Sequence, residues 1–258
     1  MEIRWLGTAA ISYKQDDRTI IFDPYGGTNK KLGCYSAQEL ATYGDIFIPH
    51  GHFDHLADVP AIMALNKAKV YCAHLAAQSL INLGVDQSRI TVVAPGRKIV
   101  AGPFNIRVLK GKHIDFDRKL ILKTLLNLRV LRYFRNFFKV LFMTKKFPEG
   151  QTLIYEMEVD GKKIMHMGSL ALAEGENYPQ NVDILVLPFQ GRSDLEMYAL
   201  PFVAGIKPKT IYLHHFDDTF PPISNTISPD KFVQNVRKDF PEIKFVIPLR
   251  GSEISILE

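Results

Sequence analysis

Three histidines and an aspartate fall within six consecutive residues, in Pro49-His50-Gly51-His52-Phe53-Asp54-His55. They follow an apolar run at residues 45–49 that reads as a buried strand. A loop at a strand end lets neighbouring side chains converge on one point. Neutral imidazole suits zinc, and a carboxylate suits zinc, manganese or iron. The chain contains eight histidines in all, so three in one loop argue for a metal centre rather than a chance polar turn. Whatever fold serves this cluster must bring further ligands to the end of that strand.

The surrounding sequence supplies short strands first and mixed strands and helices after, twice over. Residues 3–6, 10–14 and 19–22 read as strands, and residues 59–68 and 75–83 as helices around a strand at 69–73. Further strands are expected at 90–93, 98–100 and 104–109. In the second half, 152–159 and 162–167 form a hairpin around Asp160-Gly161. Residues 182–187 and 210–213 are strands, 195–206 and 229–240 are helices, and 245–248 and 253–257 close the chain as strands. The pattern suits an α/β chain of two sheets packed face to face with helices outside.

Apolar residues make up 47% and charged residues 23% of the 258 residues, which excludes disorder, collagen and coiled coil as the main state. One domain over residues 1–258 is expected. Two cysteines, Cys34 and Cys72, cannot staple a chain of this size. The opening residues carry no basic-then-apolar leader, and no apolar run is long enough to span a bilayer. The expected location is therefore the cytoplasm, with free thiols.

The HxHxDH pattern resembles the metallo-β-lactamase superfamily. Ile21-Phe22-Asp23-Pro24 is similar to that family's strand-ending aspartate, which orients a ligand histidine from behind. Trp5-Leu6-Gly7-Thr8-Ala9 resembles the lead strand of the subgroup related to ascorbate-phosphate lactonase and N-acyl-phosphatidylethanolamine phospholipase D. The resemblance implies an αββα sandwich; residues 115–148, which it does not cover, are expected as a helical insertion. It implies that His50, His52 and His113 hold one metal. Asp54, His55 and either His214 or His215 would hold a second, and Thr219-Phe220, which follow closely, favour His215. It implies zinc, one or two ions, with manganese or iron as alternatives. The activity implied is hydrolysis of a phosphoester, phosphodiester or lactone by metal-activated water, with Asp54 as catalytic residue.

One position departs from the family. Where an aspartate bridges both metals, this chain has Gly168-Ser169, and a neutral hydroxyl is a poor substitute. Either one metal binds, or another acid takes the place, with Glu174, Glu176, Asp217 and Asp218 as candidates. The same departure motivates an alternative, a non-catalytic metal-binding or interaction protein with a degenerate site. His166, inside a strand, reads as structural.

Charge singles out one segment. The net charge is +5, and residues 115–150 alone contribute +6. Residues 120–143 read as one amphipathic basic helix, with Val130, Phe134, Phe137 and Leu141 on an apolar stripe that Leu131, Phe138 and Phe142 widen. Arg129, Arg132, Arg135 and Lys139 fall opposite. Three partners could take residues 118–143: the chain's own domain or a second copy of the chain, an anionic membrane surface, and nucleic acid. Nucleic acid is disfavoured, because the cations oppose a hydrophobic stripe instead of lining a groove with stacking aromatics. A small-molecule or lipid-like substrate is expected.

Overall fold

The computed structural model describes residues 1–27, 29–115 and 117–255; the side chains of Lys30, Ile121, Lys123 and Leu125 lie outside the description, as do Ile256 and Leu257 of the expected last strand. The first half runs β1 (Glu2–Gly7), β2 (Ala10–Gln15), β3 (Arg18–Phe22), α1 (Ala37–Leu40), β4 (Asp45–Ile48), α2 (Phe53–Leu56), α3 (Val59–Met63), β5 (Val70–Cys72), α4 (His74–Asn82) and β6 (Ile90–Val92). The second runs β7 (Lys98–Ala101), β8 (Phe104–Lys110), α5 (Arg118–Leu125), α6 (Arg129–Arg132), α7 (Phe134–Lys146), β9 (Leu153–Val159), β10 (Lys162–Met167), β11 (Ile184–Pro188), α8 (Leu195–Tyr198), α9 (Leu200–Ile206), β12 (Thr210–His214), α10 (Asp230–Asp239) and β13 (Lys244–Val246), and β14 (Glu253–Ser255) comes last.

Two sheets result, ordered β14-β1-β2-β3-β4-β5-β6 and β13-β12-β11-β10-β9-β8-β7. In each, the early strands pair antiparallel and the later ones parallel, β3 to β6 in one and β10 to β13 in the other. Parallel strands need covered faces, and their sequences are accordingly apolar on both sides. Side chains alternate between those faces. Phe47 of β4 joins Trp5, Tyr13, Phe22, Tyr155 and Tyr212 in the layer between the sheets. Its neighbours Ile46 and Ile48 face outward to Phe53, Leu56, Ile62 and Leu80 of the helices. On β11, Val186 points inward, while Leu185 and Leu187 meet Leu195, Val203 and Phe232. Helix, sheet, sheet and helix therefore stack as four layers, the expected αββα sandwich.

Two helical expectations are corrected. The single helix over 195–206 is two, α8 and α9. Pro201 has no N–H to continue the ladder from α8, and it stands in the first turn of α9, where that missing donor costs nothing. The single amphipathic helix over 120–143 is three, α5 to α7. Asn127 accepts the Arg129 N–H at 2.9 Å through its side chain, a local bond that competes with the helix ladder. The apolar side chains of the insertion divide between a buried and an exposed side. Val140 and Phe147 are buried against the α2–α4 layer with Met143 beside them, whereas Leu131, Phe134, Phe138, Leu141 and Phe142 are exposed. Among the described residues no helix is long and apolar enough to cross a membrane.

Candidate metal centre

The C-terminal ends of β3, β4, β10 and β12 meet at one edge of the sandwich, and the candidate residues lie there or just beyond. β4 runs through Pro49 into His50, which is buried. Gly51 follows because nothing larger fits: a Cβ there would sit 2.3 Å from the Pro148 carbonyl oxygen. Its N–H donates to the Glu149 carbonyl at 2.7 Å, which locks the loop. His52 is the residue that caps the start of α2, with extended backbone, and α2 carries Asp54 and His55 on its single turn. Asp23 and His215 close their strands with left-handed backbones, φ 50° and 60°. Left-handed backbone is uncommon outside glycine, and Asp and His are among the few side chains that tolerate it; such conformations cluster at functional sites.

Two groups of potential ligand atoms converge. His50, His52 and His113 form one, and Asp54, His55 and His215 the other, with the atoms of each within 4.8 Å of one another. In the first, the rings are mutually close, with centroids 4.7–4.9 Å apart. The groups adjoin, since the His50 and His55 rings are 3.9 Å apart. His113 Nδ1 donates to the Ile114 carbonyl at 2.9 Å, which leaves Nε2 with the lone pair. His55 Nδ1 lies 2.9 Å from the buried Asp23 carboxylate, the arrangement that orients a ligand histidine from behind. Asp54 Oδ2 lies 3.4 Å from His215 Nε2 and 3.8 Å from His55 Nε2.

Electrostatics prepare these groups. Burial pushes His50 well below the ordinary imidazole range, helped by the neighbouring histidines, and pushes His52 down to about 4. Burial also lowers His113. All three are neutral at pH 7, the form that binds metal. Burial alone would raise Asp54, but His55 and His215 outweigh it and hold the carboxyl well below its usual range. Asp23 is raised to about 6 by its burial. Burial would lower His55, but Asp23 and Asp54 reverse the sign. The donor set fits a transition metal. His50 is buried with no hydrogen-bond partner for either ring nitrogen among the described residues, an arrangement that is costly unless a cation takes the lone pair.

Several expected residues lie elsewhere. His214 points into the sandwich, where its ring is 5.7 Å from His166, and does not join the Asp54 group. The reason is local: His214 still belongs to β12, while the left-handed turn at His215 swings the next ring to the edge. Ser169 is buried, and its Oγ accepts the Ile114 N–H at 3.0 Å, so it braces the His113 loop. None of the four substitute acids reaches the cluster. Asp217 accepts the Thr8 N–H at 3.0 Å, Asp218 is bonded to Arg129 and Ser224, Glu176 pairs with Lys110, and Glu174 is exposed. One acid beside the first group is missed by sequence reasoning. Glu149 Oε2 lies 3.8 Å from His113 Nδ1 and 4.0 Å from His52 Nε2. It follows the helical insertion, and only the packing of residues 148–149 on Gly51 brings it there.

A family model described as "Beta-lactamase superfamily domain" matches residues 2–213, which span both ligand groups except His215. The chain belongs to the β-lactamase superfamily. A "UPF0173 metal-dependent hydrolase" of Methanobrevibacter smithii is 26% identical over 266 residues, covering 96% of this chain and 93% of the relative. One from Cupriavidus necator is also 26% identical, over 90% of this chain and 78% of the relative. Among solved structures, Igni18, titled a metallo hydrolase from Ignicoccus hospitalis, superposes with a TM-score of 0.67 at 20% identity, over 98% and 97% of the two chains. That likeness supports the αββα fold.

Proposed function

We propose that this β-lactamase superfamily protein is a metal-dependent hydrolase. The observation that carries this reading is the pair of adjoining ligand groups at one sheet edge, one of three neutral imidazoles and one with a carboxylate. His50, His52 and His113 would hold one cation, and Asp54, His55 and His215 a second. Zinc suits the first group best, and the carboxylate in the second also accepts manganese or iron. The chemistry such ions supply when bound is polarisation of a carbonyl or phosphoryl oxygen and acidification of water.

The chain's own groups do the rest. Asp54 is ionised and lies beside His55 and His215, and it would accept a proton from the attacking water. Asp23 holds His55 in the tautomer that presents Nε2. Glu149 supplies a carboxylate beside His52 and His113, in partial compensation for Ser169. Phosphoesters, phosphodiesters and lactones are the substrate classes proposed. The resemblance of Trp5-Leu6-Gly7-Thr8-Ala9 to the lactonase and phospholipase subgroup supports them.

Metal-loaded protein assayed on an ester, a phosphodiester and a lactone should hydrolyse at least one, with turnover lost in Asp54→Asn. One observation favours a second reading, a metal-binding protein without turnover: Ser169 Oγ is committed to the Ile114 N–H and provides no bridge. Bound metal with no turnover on any of the three substrates would select that reading.

A further inference from the structure

The helical insertion presents an apolar surface that no other described residue covers. Leu128 is 79% exposed, Leu131 75% and Phe142 67%, and Leu122, Leu126, Phe134, Phe138 and Leu141 are exposed with them. Phe138 packs edge-on against Phe134 and Phe137, with ring centroids 4.8 and 5.7 Å apart, so the aromatics form a cluster. A contiguous apolar patch on this scale marks an interaction surface.

Charge identifies the occupant. Between Arg118 and Pro148 the sequence has nine Lys or Arg and no Asp or Glu. Arg118, Lys119, Arg132, Arg135, Lys139, Lys145 and Lys146 are exposed around the apolar side chains. Arg129 is committed inward, to Asp218 and Asn225. Two copies of this chain joined symmetrically through the patch would bring like charges together with no acid to answer them. An anionic bilayer answers both features, since its interface takes aromatic and aliphatic side chains and its phosphates take the cations.

We propose that α5 to α7 dock on an anionic phospholipid surface. The docking would hold the metal centre beside the bilayer, because the insertion is anchored around the rim of that centre. α5 begins four residues after Ile114, Arg129 bonds the loop that follows His215, and Glu149 sits against His52 and His113.

Vesicle co-sedimentation tests this. The full chain is mixed with vesicles of phosphatidylcholine and phosphatidylglycerol at 7:3, and with phosphatidylcholine alone, over a salt series. The expected result is binding to the anionic vesicles at low salt that weakens as salt screens the cations. Arg132, Arg135 and Lys145 changed together to Gln should lower partition about 100-fold. Phe138→Ser with Phe142→Ser should abolish binding while metal content stays that of the parent. These side chains are exposed, so the variants should fold, and metal content reports whether they do. Absence of binding at low salt, or binding that neither variant changes, overturns the proposal. A dimer in sedimentation velocity that needs Phe138 and Phe142, with no vesicle binding, overturns it in favour of self-association.

Discussion

Ser169 and Glu149 together decide how much negative charge the metal centre holds. Ser169 is buried at the end of β10 and spends its hydroxyl on the Ile114 N–H. Ser169→Asp should raise occupancy of the Asp54, His55 and His215 group towards a full second ion, read by elemental analysis of the dialysed protein. A parent that already holds two full ions would show that other groups compensate completely. Glu149→Gln removes charge at 3.8–4.0 Å from His113 and His52 without changing shape. It should weaken metal affinity about tenfold, measured by chelator competition, as loss of a supporting partner generally does. These residues differ in how far they can be read from the chain. His50, His52, Asp54 and His55 are close in sequence and therefore legible as a cluster. The choice between His214 and His215 rests on one left-handed residue, and Glu149 lies 94 residues beyond His55, brought in by a packing contact that no local pattern encodes.

At the scale of elements, the loop between β4 and α2 is fitted to the segment after α7. Gly51→Ala would place a methyl group 2.3 Å from the Pro148 carbonyl oxygen, so one of the two segments must move. The expected cost is about 1–3 kcal/mol of stability, typical of overpacking, together with weaker metal binding. Thermal unfolding and chelator competition on the same preparation measure both, and an unchanged protein in both would mean that the contact is slack. The sheets were legible because period-two alternation and turn residues survive in short segments: β4, β8, β9, β10 and β12 fall within a residue or two of expectation. The direction the insertion faces is not legible, because its apolar periodicity suits a helix whichever way the helix faces. The direction is set by contacts of Val140, Met143 and Phe147 with the α2–α4 layer, and periodicity carries no information about them.

For the whole molecule, the layer between the sheets carries a pH liability. His166 is fully buried, stacked on Phe22 with ring centroids 4.2 Å apart and bonded to Tyr13 Oη at 2.8 Å. Burial pushes it down to about 3 from an ordinary value of 6.5. Below pH 6.5 the unfolded chain gains a proton that the folded chain refuses, so this contribution to stability is complete above 6.5 and is lost as pH falls towards 3. In metal-free protein, His166→Phe should flatten that part of the urea midpoint against pH, and should cost about 1–3 kcal/mol at pH 7 because Tyr13 loses its partner. A profile as steep as the parent's would assign the acid sensitivity to other groups.

The metal centre organises the remaining parts: the two sheets meet where their strand ends deliver ligands, and the insertion is anchored beside the same edge. Metal content per chain in the parent and in His52→Ala tests it most directly. The parent, loaded with zinc and dialysed, should retain close to one ion per chain, and His52→Ala should retain almost none while keeping its fold by circular dichroism. A parent that retains no ion, or a variant that retains as much as the parent, would contradict the account.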